Sequence, residues 1–333
     1  MRRKPHASIA ILGGSGYIGS SIAKHLPKTF DVKILDRVPP RDFNVPFRFC
    51  DIRDEESLIN SLNGCDLVIN TAIIQLPQIN EIKREAYEVN VLGVQNLCKA
   101  VEGSNSIKGL LHTSSWHVFG ERNFSGVIDE GFGFKPDKVD DRAKFYALCK
   151  VTQEGIIRTI SETSTKSYGI LRVGTVLGER MSEQSAAKMF VDSALRGQPI
   201  TPYKHSGYRP MLFVGIEDVC QAFTTLATLT LANKLPTPGA NIVNLFWPKP
   251  VTIIELARIV QRQIRSLNPK TKSKVEVIDK GIPSIYSRED WGQTRIDISK
   301  ARNLLGIHKL ISPQESIRRI LTNRLANNPG FQR

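Results

Sequence analysis

The stretch Ile9-Ala10-Ile11-Leu12-Gly13-Gly14-Ser15-Gly16-Tyr17-Ile18-Gly19 joins a short apolar run to glycines in GxxGxxG spacing. The apolar run is typical of a buried parallel strand, and residues 20–26 continue in a helical pattern. Glycine is needed in the turn, because its backbone angles are closed to other residues and because a Cβ would hold the chain away from a pyrophosphate. The helix that follows offers N–H groups and a positive dipole end to phosphates. The stretch therefore predicts a nucleotide-binding turn between a strand and a helix.

A carboxylate follows at the distance that a dinucleotide site requires. Residues 32–35 form a second apolar run, and Asp36 ends it about 20 residues beyond the glycines. A carboxylate at this point can accept hydrogen bonds from both hydroxyls of a ribose. Because it would also repel a 2′-phosphate, it favours NAD, whereas the neighbouring Arg37 leaves room for NADP.

Strand and helix patterns alternate along the first half of the chain. Long helical patterns at 81–101 and 143–161 precede the later strands. Such alternation predicts an α/β fold, a Rossmann-type doubly wound parallel sheet with right-handed crossovers. The further strands are predicted at 47–50, 67–70, 109–113 and 168–173.

Glycine and proline interrupt this alternation in the second half of the chain, which predicts a smaller C-terminal substrate lobe. We assign residues 7–173 to an NAD-binding Rossmann domain, to which the chain returns around 211–232. The substrate-binding lobe is assigned to residues 174–210 and 233–325.

The composition favours a cytoplasmic protein with a substantial core, since 41% of the 333 residues are hydrophobic. The five cysteines are scattered without CxxC pairs, so we expect neither a disulfide framework nor a metal site, and reduced thiols fit the cytoplasm. The basic N-terminus precedes an apolar run that is too short for a signal peptide or a membrane span. No membrane contact is therefore expected.

The chain is strongly basic, with a formal net charge of +14. Residues 262–333 carry 15 Lys or Arg against 6 Asp or Glu. A solvated basic surface explains this most simply, and steering of an anionic substrate or cofactor is the next explanation. Nucleic acid is a disfavoured partner, because the sequence contains no recognisable nucleic-acid module such as a zinc finger.

Tyr146 and Lys150 have YxxxK spacing, which places both side chains on one face of a helix. A tyrosine phenol has an ordinary pKa near 10, so it acts as a base near neutrality only if its anion is stabilised. Lys150 and a cationic nicotinamide ring could supply that stabilisation. Ser115, at the end of a predicted strand, could hold the substrate oxygen near Tyr146. The three residues predict oxidation at a carbon that bears a hydroxyl.

With these motifs the chain resembles the extended short-chain dehydrogenase/reductase superfamily, in its NAD-dependent epimerase/dehydratase branch. The resemblance covers nearly the whole length. Its motifs are GGSGYIG at 13–19, Asp36-Arg37, Asp51-Ile52, Asn90-Val91-Leu92-Gly93, Ser114-Ser115 before Phe119-Gly120, Tyr146 to Lys150, Leu171-Arg172, FVGIEDV at 213–219, and DISKA at 297–301 before Leu305-Gly306.

The resemblance implies a catalytic triad of Ser115, Tyr146 and Lys150, with Lys150 also holding the nicotinamide ribose. It further implies these cofactor-binding residues: Gly13, Gly16, Tyr17, Ile18 and Gly19 at the pyrophosphate, Asp36 and Arg37 at the adenosine ribose, Asp51 and Ile52 at the adenine, and Thr71, Ala72, Asn90, Thr113 and Tyr146 along the rest of the cofactor.

The substrate side departs from the family pattern at several positions. Dehydratases of this branch carry an Asp-Glu pair where this chain has Trp116 and His117, which disfavours 4,6-dehydration. Thr175 replaces an asparagine that is common in sugar-nucleotide enzymes. Arg209 and Arg288 lie close to where epimerases place diphosphate-binding arginines, although both could equally be surface residues. His117 could be a catalytic acid or a structural residue, and Trp116 could line the pocket or cap the core.

The predicted function is an NAD-dependent oxidoreductase or epimerase that oxidises a secondary hydroxyl, with an anionic nucleotide sugar as the favoured substrate. Two alternatives remain open: an NAD(P)-dependent dehydrogenase or reductase of a hydroxysteroid-like or other apolar carbonyl compound, and a non-catalytic NAD-sensing or RNA-associated protein. The resemblance also implies a homodimer, packed through the helices at 90–101 and 146–160.

Overall fold

The fold was analysed in a computed structural model that describes residues 6–41, 44–122, 124–287 and 294–327. The strands are β1 (Ala7–Leu12), β2 (Phe30–Asp36), β3 (Phe47–Phe49), β4 (Leu67–Asn70), β5 (Gly109–Ser115), β6 (Gly126–Ile128), β7 (Ser167–Val173), β8 (Thr175–Leu177), β9 (Pro210–Met211), β10 (Phe213–Gly215), β11 (Ala240–Leu245), β12 (Val251–Thr252) and β13 (Thr294–Ile296).

The helices lie between these strands and at the C-terminal end. They are α1 (Tyr17–His25), α2 (Glu55–Leu62), α3 (Lys83–Tyr87), α4 (Gly93–Gly103), α5 (Lys144–Ser161), α6 (Ala186–Leu195), α7 (Ile216–Leu231), α8 (Ile253–Leu267), α9 (Ser299–Leu305) and α10 (Pro313–Asn327). No helix in the described part of the chain combines the length and the apolar character needed to cross a membrane.

Seven strands form one sheet in the order β11-β7-β5-β4-β1-β2-β3, and every neighbouring pair is parallel. Since the chain winds outward from β1 in both directions, the sheet is doubly wound, which confirms the predicted fold. The register aligns Leu12 with Asn70, Asn70 with His112 and Ser115 with Val173. The carboxyl ends of the central strands therefore meet along one edge, beside the glycine turn.

The structure corrects the predicted boundary of the smaller lobe at one strand. Ala240–Leu245 was assigned to the lobe as part of 233–325, but it pairs with β7 at the edge of the main sheet. Asn241 and Asn244 break the apolar run that usually marks a buried strand, which explains why the sequence pattern missed it.

Three two-stranded pairings, β8 with β10, β9 with β12 and β6 with β13, lie outside the main sheet. Helices α6 and α10 both pack against α8 in this region. A single apolar cluster connects Ile9 and Leu111 in the sheet with Ile259 and Leu321 in these helices. The lobe therefore shares a core with the sheet.

The helical pattern at 81–101 is divided by a π-helical turn at Glu88–Leu92. The wider turn directs the side chain of Asn90 to the backbone of Ile74, where it makes two hydrogen bonds of 2.8 and 2.9 Å. The Asn90 carbonyl oxygen accepts a hydrogen bond of 2.6 Å from Gln153. A side chain on Gly93 would lie 2.6 Å from Ile52, so glycine lets the helix approach the loop after β3.

A buried ion pair fastens α5 to the sheet. Arg172 on β7 is 1% exposed, and its guanidinium donates to the Glu154 carboxylate at 2.7 to 3.1 Å. The Ser114 hydroxyl donates to the same carboxylate at 2.6 Å. Glu154 thus ties the helix that carries Tyr146 and Lys150 to the two strands beneath it.

We predict that Arg172→Leu destabilises the fold by about 3–5 kcal/mol, because it leaves the Glu154 charge buried without its partner. Urea unfolding measures the change in the free energy of unfolding. The control is Arg319→Leu, which removes an exposed pair with Glu315 on α10 and should change the free energy by less than about 0.5 kcal/mol. Equal effects of the two substitutions would contradict the role of the buried pair.

Candidate active site

The glycine turn is shaped mainly by the packing of the chain on itself. Gly13 has a φ of 75°, and a Cβ there would lie 2.5 Å from the Ala72 nitrogen. A Cβ on Gly19 would lie 2.5 Å from the Gly13 oxygen. At Gly16 the conflict is milder, 3.2 Å from the same oxygen, and Gly16 lines the cavity. As the N-cap residue of α1, Gly16 has no side chain to occupy the first helical N–H groups, which suits an anion.

Asp36 braces this turn against the end of β2. Its carboxylate accepts hydrogen bonds from the backbone nitrogens of Ser15 (3.0 Å) and Val38 (3.2 Å). Each carboxylate oxygen keeps a further lone pair, because one oxygen has two acceptor sites. Asp36 can therefore brace the turn and still accept from ligand hydroxyls.

Arg37 lines the cavity next to Asp36 and is paired with carboxylates. Its Nη1 lies 2.7 Å from Oε1 of Glu85, and its Nε lies 3.7 Å from Oδ2 of Asp51. Asp51 also binds Arg53, and this side-chain hydrogen bond lowers the pKa of Asp51. The charge of Arg37 is thus balanced by its neighbours, which leaves it less suited to a 2′-phosphate.

Tyr146 and Lys150 lie one turn apart on α5, as predicted. The Lys150 ammonium nitrogen donates to the carbonyl oxygen of Thr113 at 2.7 Å and lies 6.0 Å from the centre of the Tyr146 ring. Burial lowers the pKa of Lys150 to about 7, against the opposing effects of Cys149 and Glu154. Burial also raises the pKa of Tyr146 to about 12, although a hydrogen bond with Ser115 acts in the opposite direction. The protein alone therefore keeps the phenol protonated at neutral pH.

The side chains of His117 and Glu121 lie behind Ser115, and Glu121 was not among the predicted site residues. Nδ1 of His117 lies 3.0 Å from the Ser115 hydroxyl oxygen, and its Nε2 lies 3.2 Å from Oε1 of Glu121. Glu121 is fully buried and accepts from Nη2 and Nε of Arg209 at 2.5 and 3.1 Å, and from the Tyr286 hydroxyl at 2.9 Å. Burial by itself would raise the pKa of Glu121, but Arg209 and His117 hold it well below its usual range.

One cavity of about 1150 Å³ joins the glycine turn to these residues. It runs from Asp36 past Thr71 to Ser115 and Tyr146, and continues to the first half of α6. Its position at the carboxyl ends of the parallel strands is the usual place for ligands in doubly wound sheets. Among the described residues, no cluster of three or more His, Cys, Asp or Glu side chains is arranged to hold a metal ion.

The cavity brings together most of the predicted site residues. Asn90, Thr113 and Lys150 stand behind its wall, where Thr113 and Asn90 brace their neighbours through the hydrogen bonds described above. The predicted residues that line it are Gly13, Gly16, Tyr17, Ile18, Gly19, Asp36, Arg37, Asp51, Ile52, Thr71, Ala72, Ser115, Trp116, His117, Tyr146, Thr175 and Arg209.

Trp116, Thr175 and Arg209, which were predicted on the substrate side, all line the cavity. Trp116 donates from its indole nitrogen to the Thr175 hydroxyl at 3.2 Å, so these two residues form one wall. Arg209 reaches the cavity, but Glu121 balances its charge. Arg288 lies outside the described residues.

Residues 9–237 match the model of the NAD dependent epimerase/dehydratase family. The chain belongs to this family. That membership confirms the resemblance on which the site assignments rest, while the roles of the individual residues stay predictions.

A putative UDP-glucose 4-epimerase of Methanocaldococcus jannaschii is 29% identical, covering 96% of this chain and 99% of the relative. The UDP-glucuronic acid 4-epimerase of Bacillus cereus, solved with UDP-glucuronic acid and NAD, superposes with a TM-score of 0.75 at 19% identity, over 95% of this chain and 99% of that one. A dTDP-glucose 4,6-dehydratase of Bacillus anthracis, solved with NAD, also gives 0.75 at 19% identity, over 97% and 98%. The fold is therefore common to epimerases and dehydratases of the family.

The lowered pKa of Lys150 predicts a pH-dependent cost to stability. Between about pH 7 and 10.5 the unfolded chain holds a proton that the folded chain has lost, so this contribution to stability rises with pH. Below that window the full cost of burying the charge applies. We expect Lys150→Met to raise the free energy of unfolding by ~2–3 kcal/mol more at pH 6 than at pH 9.

Urea unfolding of Lys150→Met and of the native chain at pH 6 and pH 9 measures this difference. The contributions of the other titrating groups cancel, because they are the same in both proteins. Lys83→Met, at an exposed position on α3, is the control and should show no such difference. A stabilisation of Lys150→Met that is the same at both pH values would contradict a buried, proton-releasing lysine.

Proposed function

We propose that this protein is an NAD-dependent epimerase or oxidoreductase that oxidises a secondary hydroxyl of a nucleotide sugar. The observation that carries the proposal is the shared cavity, since Ser115 and Tyr146 line the same cavity as the glycine turn. A ligand on the turn and a second ligand beside Tyr146 would therefore meet in one enclosed site.

The residues of the turn fit NAD. Gly16 and the N-terminus of α1 would hold the pyrophosphate, and Asp36 would bind the adenosine ribose. The pairing of Arg37 with Glu85 and Asp51 supports NAD over NADP. When bound, the nicotinamide would accept a hydride from the substrate carbon and, in an epimerase, return it.

Side chains of the protein would transfer the proton of the substrate hydroxyl. As a phenolate, Tyr146 would take the proton of the substrate hydroxyl, and Ser115 would hold the substrate oxygen within reach. A positive charge nearby favours the phenolate, and Lys150 is the cation that the fold places there. Because burial lowers the pKa of Lys150 to about 7, a small electrostatic change on binding would charge it.

The relatives support a nucleotide sugar as the substrate, since several are described as epimerases of UDP-sugars. Two serines at the far end of the cavity, Ser182 and Ser193, offer hydroxyl partners for sugar or phosphate oxygens. Trp116 and His117 occupy the positions of the Asp-Glu pair of dehydratases, which favours epimerisation or net oxidation over dehydration.

A second candidate follows from the apolar side chains at the same end. Met181, Met189, Phe190 and Met211 line the cavity, and the Arg209 charge beside them is already balanced by Glu121. Such a wall suits a hydroxysteroid-like or other apolar carbonyl compound, so the protein could also be a reductase of that class.

The test is nicotinamide absorbance of the purified protein with NAD and a panel of UDP-, GDP- and dTDP-sugars and apolar alcohols. Epimerisation, which leaves no net absorbance change, is followed by chromatography of the sugar products. Turnover of a sugar nucleotide is expected, whereas turnover of apolar alcohols alone would select the second candidate. No turnover of any compound, together with salt-sensitive RNA binding, would exclude an enzyme.

Tyr146→Phe should reduce turnover by at least about 10²-fold while NAD affinity stays nearly unchanged, because only the transferable proton is lost. Steady-state rates and calorimetric NAD titration measure the two effects. Tyr87→Phe, at an exposed tyrosine on α3, is the control and should keep full activity. A Tyr146→Phe protein that retains activity would remove Tyr146 from this role.

We also propose that the protein is a homodimer, packed through α4 and α5. Leu148 on α5 is 50% exposed, and Leu92 at the start of α4 is 40% exposed, although both are large apolar side chains. A Cβ added to Gly155 would enter open space, so this face of α5 can admit another helix closely.

Leu148→Arg should convert the dimer to a monomer, because it places a charge in the apolar contact between helices. Light scattering coupled to size-exclusion chromatography measures the mass. Ile59→Arg on α2, at a residue of similar exposure (51%), is the control and should leave the mass unchanged. A native chain that is monomeric at micromolar concentration would overturn the dimer.

A further inference from the structure

Four side chains form a continuous line from the candidate base into the protein. Tyr146 and Ser115 line the same cavity, the Ser115 hydroxyl oxygen lies 3.0 Å from Nδ1 of His117, and Nε2 of His117 lies 3.2 Å from Glu121. The Tyr146 and His117 rings also meet edge to face, with their centroids 5.5 Å apart. The YxxxK chemistry requires only the first two members of this line.

The fixed charge at the end of the line determines how its hydrogen bonds point. Glu121 is ionised, so it can only accept, and an imidazole with a single proton would carry it on Nε2, facing Glu121. Nδ1 is then a bare acceptor, and the Ser115 hydroxyl is the donor that faces it. Ser115 can in turn accept from the Tyr146 phenol.

We propose that His117, held by Glu121, controls the direction in which Ser115 donates and takes up the Tyr146 proton through Ser115. This inference rests on the proposed function. Ser115 passes its hydroxyl proton to Nδ1 of His117 and receives the phenol proton of Tyr146. Ser115 thus ends neutral, Tyr146 becomes a phenolate and His117 an imidazolium, with no change in total charge. The phenolate is then ready to take the hydroxyl proton of the substrate.

The same line assists the carbonyl stage of the reaction. On the imidazolium both ring nitrogens are donors, so Nδ1 now donates to the Ser115 oxygen. The Ser115 proton is released from His117 and can point to the carbonyl oxygen of the oxidised substrate. His117 therefore switches Ser115 from a donor to histidine into a donor to substrate.

His117 lies between the cavity and a fixed negative charge. Its side chain is 12% exposed at the cavity wall, while Glu121 is fully buried and fixed by Arg209 and Tyr286. Asp140 is a further titratable group near this cluster, and its backbone nitrogen donates to Glu121 at 3.1 Å; Asp141 and His205 act electrostatically on Asp140 in turn. The Glu121 carboxylate would stabilise an imidazolium at His117, and the ion pair with Arg209 holds that carboxylate in its buried position.

The first test removes the imidazole and then supplies it from solution. His117→Ala should lower the turnover of a sugar nucleotide by about 10²-fold, with NAD affinity and melting temperature retained. Added imidazole should restore much of the rate, whereas pyrazole, which has a similar shape and is a much weaker base, should not. His308→Ala, at an exposed histidine, is the matched control and should behave as the native chain does.

The second test reads the tautomer without any turnover. Nitrogen-15 NMR of the native protein, with the His117 resonances assigned by their loss in His117→Gln, should show the neutral ring protonated on Nε2. A neutral ring protonated on Nδ1 would overturn the proposal, because Nδ1 could then accept nothing from Ser115.

The two tests separate this inference from the proposed function. Full activity of His117→Ala, or equal rescue by imidazole and pyrazole, overturns the relay while the enzyme assignment stands. If the native protein turns nothing over, the proposed function fails, and the tautomer then decides whether the hydrogen-bond direction was inferred correctly.

Discussion

The buried carboxylate of Glu154 is the contact on which the arrangement of the site depends. It accepts hydrogen bonds from Arg172 on β7 and from Ser114 on β5, so α5 is held in one rotation about its axis. Tyr146, Lys150 and Glu154 are spaced four residues apart and share one helix face. Because Glu154 is fixed on the sheet, Lys150 reaches the carbonyl oxygen of Thr113, and Tyr146 lines the cavity together with Ser115, the last residue of the same strand.

Glu121, in the irregular loop after β5, forms a second buried ion pair of the same kind. Each carboxylate is fully buried, each is paired with a buried arginine, and each receives hydrogen bonds from further groups. A buried pair of this kind adds little to stability by itself, but removing one partner is costly, so it holds an arrangement firmly. Glu154 thereby fixes the helix that bears Tyr146, and Glu121 fixes the histidine behind Ser115.

Much of the nucleotide side could be predicted from the sequence, because its features are local. A glycine turn, the carboxylate about 20 residues later and the YxxxK spacing each depend on residues within one strand-helix unit. The Glu121 cluster could not be predicted, since its partners Arg209 and Tyr286 lie 88 and 165 positions away. For the same reason the sequence showed that Arg37 was basic, but not that Glu85 and Asp51 balance its charge.

In the function that we propose, one cavity brings a dinucleotide and a hydroxyl-bearing substrate together at Tyr146. A crystal structure of the protein with NAD and a UDP-sugar tests this most directly. We predict the pyrophosphate at the N-terminus of α1, the adenosine ribose on Asp36, and a sugar hydroxyl within about 3 Å of the Tyr146 phenol oxygen. A sugar bound with all its hydroxyls directed away from Tyr146 and Ser115, or NAD bound away from the glycine turn, would contradict the account.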